Sequence, residues 1–306
     1  MKYLQKVGMR GGCSDYMAAE LRKATLVCRP RGCESEVYSF DGRECQALMS
    51  EVWRLRDRAF GGVGVKLDDA KAGERGDVDG TYRQLIVWDA ARRCIVGGYR
   101  YAIGRSVAAG RLSLSRYFSL SERFVEEYLP RGVELGRTFV AAEHQAGAMR
   151  SAIYALSDLW QGLSCIVRRC GVRYLFGRVT LYPELGVRAR NLLLGFMRYG
   201  YPSREPLMMA LKPLNWGISR RSFRRLFVGA TAAENYKILI GRMRSMGRNI
   251  PPVISSYMRL SPSMQSFGSY INEDLGGVAE VAIMLDSEEF YDDVKRRYCI
   301  CQYSNI

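Results

Sequence analysis

The segment VELGRTFV, residues 133–140, sets a carboxylate, Glu134, and a guanidinium, Arg137, inside an apolar run. Pro130 and Gly132 precede it and a loop of small residues follows, the punctuation of a buried strand. Burying two ionisable groups there is costly unless they pair or do chemistry. A desolvated carboxylate has its pKa raised toward the range useful for proton transfer, and a nearby Arg limits that rise. Behind the strand, residues 149–169 place Ile153, Leu156, Trp160, Leu163 and Val167 at three- and four-residue spacing, which predicts a long amphipathic helix. Its first turn would present free backbone N–H groups suited to a phosphate.

The residue inventory excludes other chemistries. His144 is the single histidine, so neither a His-based metal site nor a Ser-His-Asp cluster with another His can be built. Nine scattered cysteines contain no CxxC pair, and Cys299 and Cys301 near the end of the chain do not make a site. Reduced structural thiols and no metal are expected. The acids Asp68, Asp69, Asp77 and Asp79 read as a solvated loop ahead of a cap over the amine pocket.

Around this centre the pattern predicts a helix at 44–60 ending at Gly61-Gly62, and strands at 82–89 and 94–104 joined by a four-residue hairpin connection. A short helix is expected at 119–128 with Ser119 or Ser121 as its cap, and a strand at 172–181. A helix at 184–199, a strand at 207–211, a helix at 232–246, strands near 267–271 and 280–285, and a terminal helix at 287–298 complete the chain. This is an α/β (α+β) order: a mixed central sheet flanked by helices. Residues 1–36 read as an extension, with a short helix near 16–23, and residues 37–306 as one domain. It carries a basic insertion at about 213–230 and C-terminal elements at 250–306.

The net charge is +15, and it is uneven. Residues 187–248 have a local balance of +11, whereas 272–293 hold eight acids and no base. A basic surface of this kind serves nucleic acid, anionic lipid headgroups or an acidic protein. The apolar runs are too short to span a bilayer, and MKYLQKVGMRGGC lacks a signal-peptide core. A cytoplasmic location is expected, with peripheral contact at the inner membrane.

The element order resembles the GCN5-related (GNAT) acyltransferase fold. IVGGYRY at 95–101, VELGRTFV at 133–140, LFGRVTLYP at 175–183 and IPPVISSYMRLSP at 250–262 are similar to segments of the ornithine-lipid and glycine-lipid N-acyltransferases, often labelled hemolysin-like. The strand motif is also similar to that of acyl-homoserine lactone synthases. The resemblance implies transfer of a fatty or 3-hydroxyfatty acyl chain from acyl carrier protein to the α-amino group of a small amino acid, glycine ahead of ornithine, in aminolipid synthesis.

In that reaction a carboxylate must take a proton from the acceptor ammonium, and Glu134 is the candidate base. A Glu134–Arg137 ion pair is the structural alternative. Arg137 would orient a substrate carboxylate or fix the carrier's phosphate, with a fork that Lys does not offer. Backbone N–H groups from Thr138 to Ala141 are candidate donors to the thioester oxygen. Thr138, Val140, Gln145, Ala146, Gly147 and Ala148 are the expected donor-binding positions, and Tyr182 is one of nineteen tyrosines able to protonate a leaving thiolate. The loop 143–148 departs from the Q/R-x-x-G-x-G/A of small acetyltransferases, which favours phosphopantetheine on acyl carrier protein over acyl-coenzyme A. No separate cofactor is implied. The alternatives are an acyl-homoserine lactone synthase-like enzyme and a non-catalytic basic protein binding nucleic acid, the latter disfavoured because it leaves Glu134 unexplained.

Overall fold

A computed structural model describes residues 10–30, 34–61, 76–142 and 149–298. In chain order the first half comprises α1 (Arg10–Glu20), β1 (Thr25–Cys28), β2 (Ser35–Asp41), α2 (Gln46–Gly61), β3 (Arg83–Asp89), β4 (Cys94–Ile103), β5 (Phe118–Leu120) and β6 (Gly132–Val140). The remainder comprises α3 (Met149–Cys170), β7 (Tyr174–Leu181), α4 (Gly186–Gly200), β8 (Met208–Ala210), α5 (Arg220–Leu226), α6 (Ala232–Ser245), α7 (Pro252–Met258), β9 (Gln265–Asn272), β10 (Val278–Asp286) and α8 (Asp292–Arg297). The chain divides into two compact units, and the boundary falls inside β6, between Leu135 and Gly136.

In the first unit β1, β2, β3 and β4 form an antiparallel run. The hairpin of β3 and β4 forms where the two β-rich runs place it, with residues 90–93 as its connection. The second half of β6 lies beside β4, where Ala141 N–H donates to the Val96 carbonyl at 2.8 Å. Gly97 permits that approach, since a Cβ there would sit 2.8 Å from the Phe139 oxygen. Regular structure begins earlier than the expected start near residue 37. β1 pairs with β2, with Thr25 opposite Ser39, and Met17, Leu21 and Val27 are buried. In α3 the buried stripe is Ala155, Leu156, Leu159, Trp160, Leu163, Ile166 and Val167, while Ile153 is exposed. The apolar face therefore starts one turn later than the spacing indicates.

In the second unit the first half of β6 runs parallel to β7, and β7 is followed by antiparallel β10 and β9. Gly177 lets β7 close on β6, because a Cβ there would meet the Leu135 oxygen at 2.3 Å. The strand expected at 207–211 is β8, and it pairs with β5 in a separate two-stranded ribbon. That pairing places Ser119 in β5, so Ser121 is the cap of the following helical turn, accepting from Phe124 N–H at 3.1 Å. The basic insertion is α5, capped by Ser219. Phe223 and Phe227 pack on Phe196 of α4, which leaves Arg220, Arg221, Arg224 and Arg225 exposed.

Candidate active site

The apolar neighbours of Glu134 bury β6 on both faces, and Glu134 goes in with them at 1% exposure. Its carboxylate is met by a tight turn at residues 112–116. The Ser113 N–H donates at 3.1 Å, the Ser113 hydroxyl at 2.7 Å and the Leu114 N–H at 2.9 Å. Three donors from one turn fix the orientation of the carboxylate and give its buried oxygens partners.

The same face of the second unit carries a buried polar network. Glu280 on β10 stands opposite Thr180 of β7 and Tyr270 of β9, and Arg178 stands opposite Ala282. The small Ala282 lets the guanidinium lean diagonally to Glu280, at 3.0 Å. Glu280 also accepts from Thr180 at 2.8 Å, from Asn272 at 2.9 Å and from the Tyr270 hydroxyl. Burial pushes the Glu280 carboxyl up, but Arg178 and these donors outweigh it and hold the carboxyl below its ordinary range. Burial disfavours the charged Arg178, and Glu280, Tyr270 and Glu134 together more than reverse that. The other end of Arg178 donates to the Ser113 hydroxyl at 3.3 Å. One hydroxyl therefore accepts from Arg178 and donates to Glu134.

In the first unit, Arg137 has a left-handed backbone, φ 55°. That costs a branched-free L residue about 1–3 kcal/mol and marks a break in strand regularity. Gly136, Arg137 and Thr138 are half-buried between fully buried neighbours, so β6 opens at this point. Nearby, Asp57 is pushed up by burial, while Arg137 and Arg56 oppose the rise.

A second charged cluster lies in this unit. Asp77, 1% exposed, accepts from Arg56 at 2.9 Å, from Gln84 at 2.9 Å and from Arg100 at 3.4 Å. Gln84 accepts in turn from Arg56 at 2.6 Å, and Arg100 lies over the Tyr82 ring at 4.3 Å. Burial raises the Asp77 pKa, but the two guanidiniums hold it below the usual carboxylate range. Asp77 is thus a buried ion-pair centre and no part of a solvated loop. Its two Arg partners are the reason, because they supply what water would.

Of the expected site residues, Glu134 is seated as above, Thr138 lies on the open stretch of β6, and Val140 is buried beside β4. Ala141 is corrected as an oxyanion donor, since its N–H is already committed to Val96. Tyr182 is half-buried at the end of β7. Gln145, Ala146, Gly147 and Ala148, with His144, lie outside the described residues, as do Asp68 and Asp69. Sequence reasoning missed Ser113, Arg178, Glu280 and the Arg56–Asp77–Arg100 cluster. Single charges inside LFGRVTL and VAEVAIML carried the same signal as Glu134. Cys28, Cys45, Cys94, Cys165 and Cys170 carry free thiols. Among the described residues no group of three or more His, Cys, Asp or Glu is placed to hold a metal, and no helix is long and apolar enough to cross a membrane.

The central strand β6 thus carries a left-handed residue in a half-buried stretch and is approached closely at Gly97 of β4 and Gly177 of β7. Residues 55–155 match the model of the acetyltransferase (GNAT) domain. The chain is 36% identical to a glycine N(alpha)-acyltransferase of Bacteroides thetaiotaomicron, over 93% of this chain and 87% of the relative. It is 34% identical to a glycine N(alpha)-acyltransferase of Phocaeicola vulgatus, over 93% and 90%. Among solved structures it is similar to FeeM, an N-acyl amino acid synthase from uncultured soil microbes, with a TM-score of 0.42 and 10% identity over 83% of this chain and 91% of that one. The protein is therefore an acyltransferase of the GNAT class. It belongs to the family that contains these two bacterial N-acyltransferases.

Proposed function

We propose that the protein transfers a fatty or 3-hydroxyfatty acyl chain from acyl carrier protein to the α-amino group of a small amino acid, glycine first and ornithine next, in aminolipid synthesis. The observation that carries this reading is the buried, turn-gripped Glu134 in a chain that follows two glycine N(alpha)-acyltransferases along 93% of its length.

The acceptor arrives as an ammonium and must lose a proton before it attacks. Glu134 takes that proton, its carboxylate fixed by Ser113 and Leu114 so that it does not turn away. The freed amine attacks the thioester carbonyl carbon. Negative charge builds on the oxygen, and backbone N–H groups of β6 from Thr138 onward are the donors to it, Ala141 apart. The attacking nitrogen then gives up its second proton, the carbon–sulfur bond breaks, and the thiolate takes up a proton as the N-acyl amino acid leaves. Arg137 holds the phosphate of the donor's phosphopantetheine, a role suited to a planar guanidinium on the half-buried stretch of β6. A phosphopantetheine on acyl carrier protein or on coenzyme A presents the same thioester, and the basic α5 favours the acidic carrier. The exposed arginines also suit peripheral contact with an anionic membrane surface.

Incubating the purified protein with a long-chain acyl-acyl carrier protein and isotopically labelled glycine tests the reading. Labelled N-acylglycine is expected; release of free fatty acid without it would contradict the proposal.

A further inference from the structure

We infer that Arg178, held in place by Glu280, is the carboxylate anchor for the acceptor amino acid, and that with Glu134 it forms a subsite for an α-amino acid zwitterion. The inference rests on the acyl-transfer reading above and adds the residue that recognises the acceptor.

A lone Arg pointing into a β-sheet face is expensive to bury, and Glu280 answers that cost with a short, multiply supported contact. Glu280 is saturated by Thr180, Asn272, Tyr270 and Arg178, all within the sheet, so it has no spare role toward a ligand. Its effect is to fix the guanidinium. Tyr117 stacks on Tyr270 at 4.4 Å between ring centroids and lies 5.0 Å from Arg178, which limits the side chain further. Asn272 is itself pinned by the Tyr117 hydroxyl at 2.9 Å.

The network is closed toward Glu280 and open toward Ser113. Arg178, Thr180, Ser113 and Tyr117 are half-buried, whereas Glu280, Tyr270 and Asn272 are buried. A fixed guanidinium edge is thus presented at the partly open side of the face, beside a hydroxyl and one hydroxyl away from the Glu134 carboxylate. An α-amino acid carries an ammonium and a carboxylate two bonds apart through one carbon. Its ammonium suits the Glu134 side, and its carboxylate suits the guanidinium, which offers paired donors in a rigid plane. The carboxylate of the acceptor would then be recognised separately from the phosphate of the donor, which is assigned to Arg137. Glu280 is a positioning residue, acting only through Arg178.

The test compares glycine with glycinamide, which keeps the amine and lacks the carboxylate, using one acyl thioester donor. Wild-type protein is expected to prefer glycine in kcat/KM by about 100-fold, because a site built for a charged partner rejects the analogue without it. Arg178→Gln should bring that preference to within about threefold, chiefly by raising KM for glycine, because any loss passed through Ser113 to Glu134 falls on both acceptors alike and cancels in the ratio. Comparing the two ratios cancels the different basicity of the two amines. Arg178→Gln leaves Glu280 without its cation, so the Arg178→Gln/Glu280→Gln pair, which removes both charges, is measured alongside and should lose the preference equally. Glu280→Gln alone should raise KM for glycine and leave KM for the donor unchanged. Equal loss with both acceptors, or an unchanged preference in a folded variant, would overturn the inference. A wild-type protein idle on both acceptors would instead contradict the acyl-transfer reading, and the subsite with it.

Discussion

Ser113 grips Glu134 with two groups at once, its backbone N–H at 3.1 Å and its hydroxyl at 2.7 Å, while the same hydroxyl accepts from Arg178. The position of the carboxylate is therefore set by a turn and by a network running across β7, β10 and β9. Removing only the hydroxyl leaves both backbone donors. Ser113→Ala should lower kcat/KM by about tenfold, the effect of one charge-assisted hydrogen bond, with little change in melting temperature. A loss of a thousandfold, or none, would show that the hydroxyl has a different part.

The Asp77 cluster makes a stability prediction. Asp77→Ala leaves Arg56 and Arg100 buried without their shared carboxylate, which costs about 3–5 kcal/mol. Urea unfolding of the variant checks it. An unchanged midpoint would mean that the two guanidiniums find another partner.

Acid stability follows from Glu280. Its carboxyl is held below the ordinary 4.5, so the folded state binds that proton more weakly than the unfolded chain does. The stabilisation is complete above pH about 4.5 and is lost as pH falls through the lower folded value. Asp77 acts in the same direction from its ordinary 3.8. Urea melts between pH 3 and 7 should show stability falling at the acid end, and Glu280→Gln should flatten part of that slope while lowering stability at neutral pH. An identical slope in the variant would remove Glu280 from the account.

The exposed arginines of α5 are expected to meet the carrier. Changing Arg220, Arg221, Arg224 and Arg225 to Glu should raise KM for acyl-acyl carrier protein at least about tenfold, and salt should weaken wild-type turnover more than that of the variant. Turnover of a small acyl-pantetheine donor should be unchanged. Equal kinetics with the carrier-borne donor would take this surface out of the reaction.

Much of the scaffold was legible because periodicity reports local burial. The β-rich runs YRQLIVWD and CIVGGYRY, with four residues between them, gave the β3–β4 hairpin, and the three-to-four spacing gave α3. The motif VELGRTFV singled out Glu134 because a charge in an apolar run is conspicuous by itself. β1 was not legible, since four residues are too few to establish a period. The Arg178–Glu280 pair was not legible either. Each charge stands out in its strand, but the two are 102 residues apart and only strand pairing brings them together. Ser113 lies in a turn whose purpose appears only once Glu134 is seen to accept from it. The left-handed φ of Arg137 has no signal in composition, because such a conformation ordinarily calls for Gly.

At the centre of the proposed reaction stands proton transfer to the buried Glu134. Mass spectrometry of lipids from cells expressing the wild type and Glu134→Gln tests it most directly. A new N-acyl amino acid with the wild type, reduced by a factor of about 10²–10⁴ in the variant at equal protein level, is the predicted result. No new N-acyl amino acid with the wild type, or equal amounts from the two proteins, would contradict it.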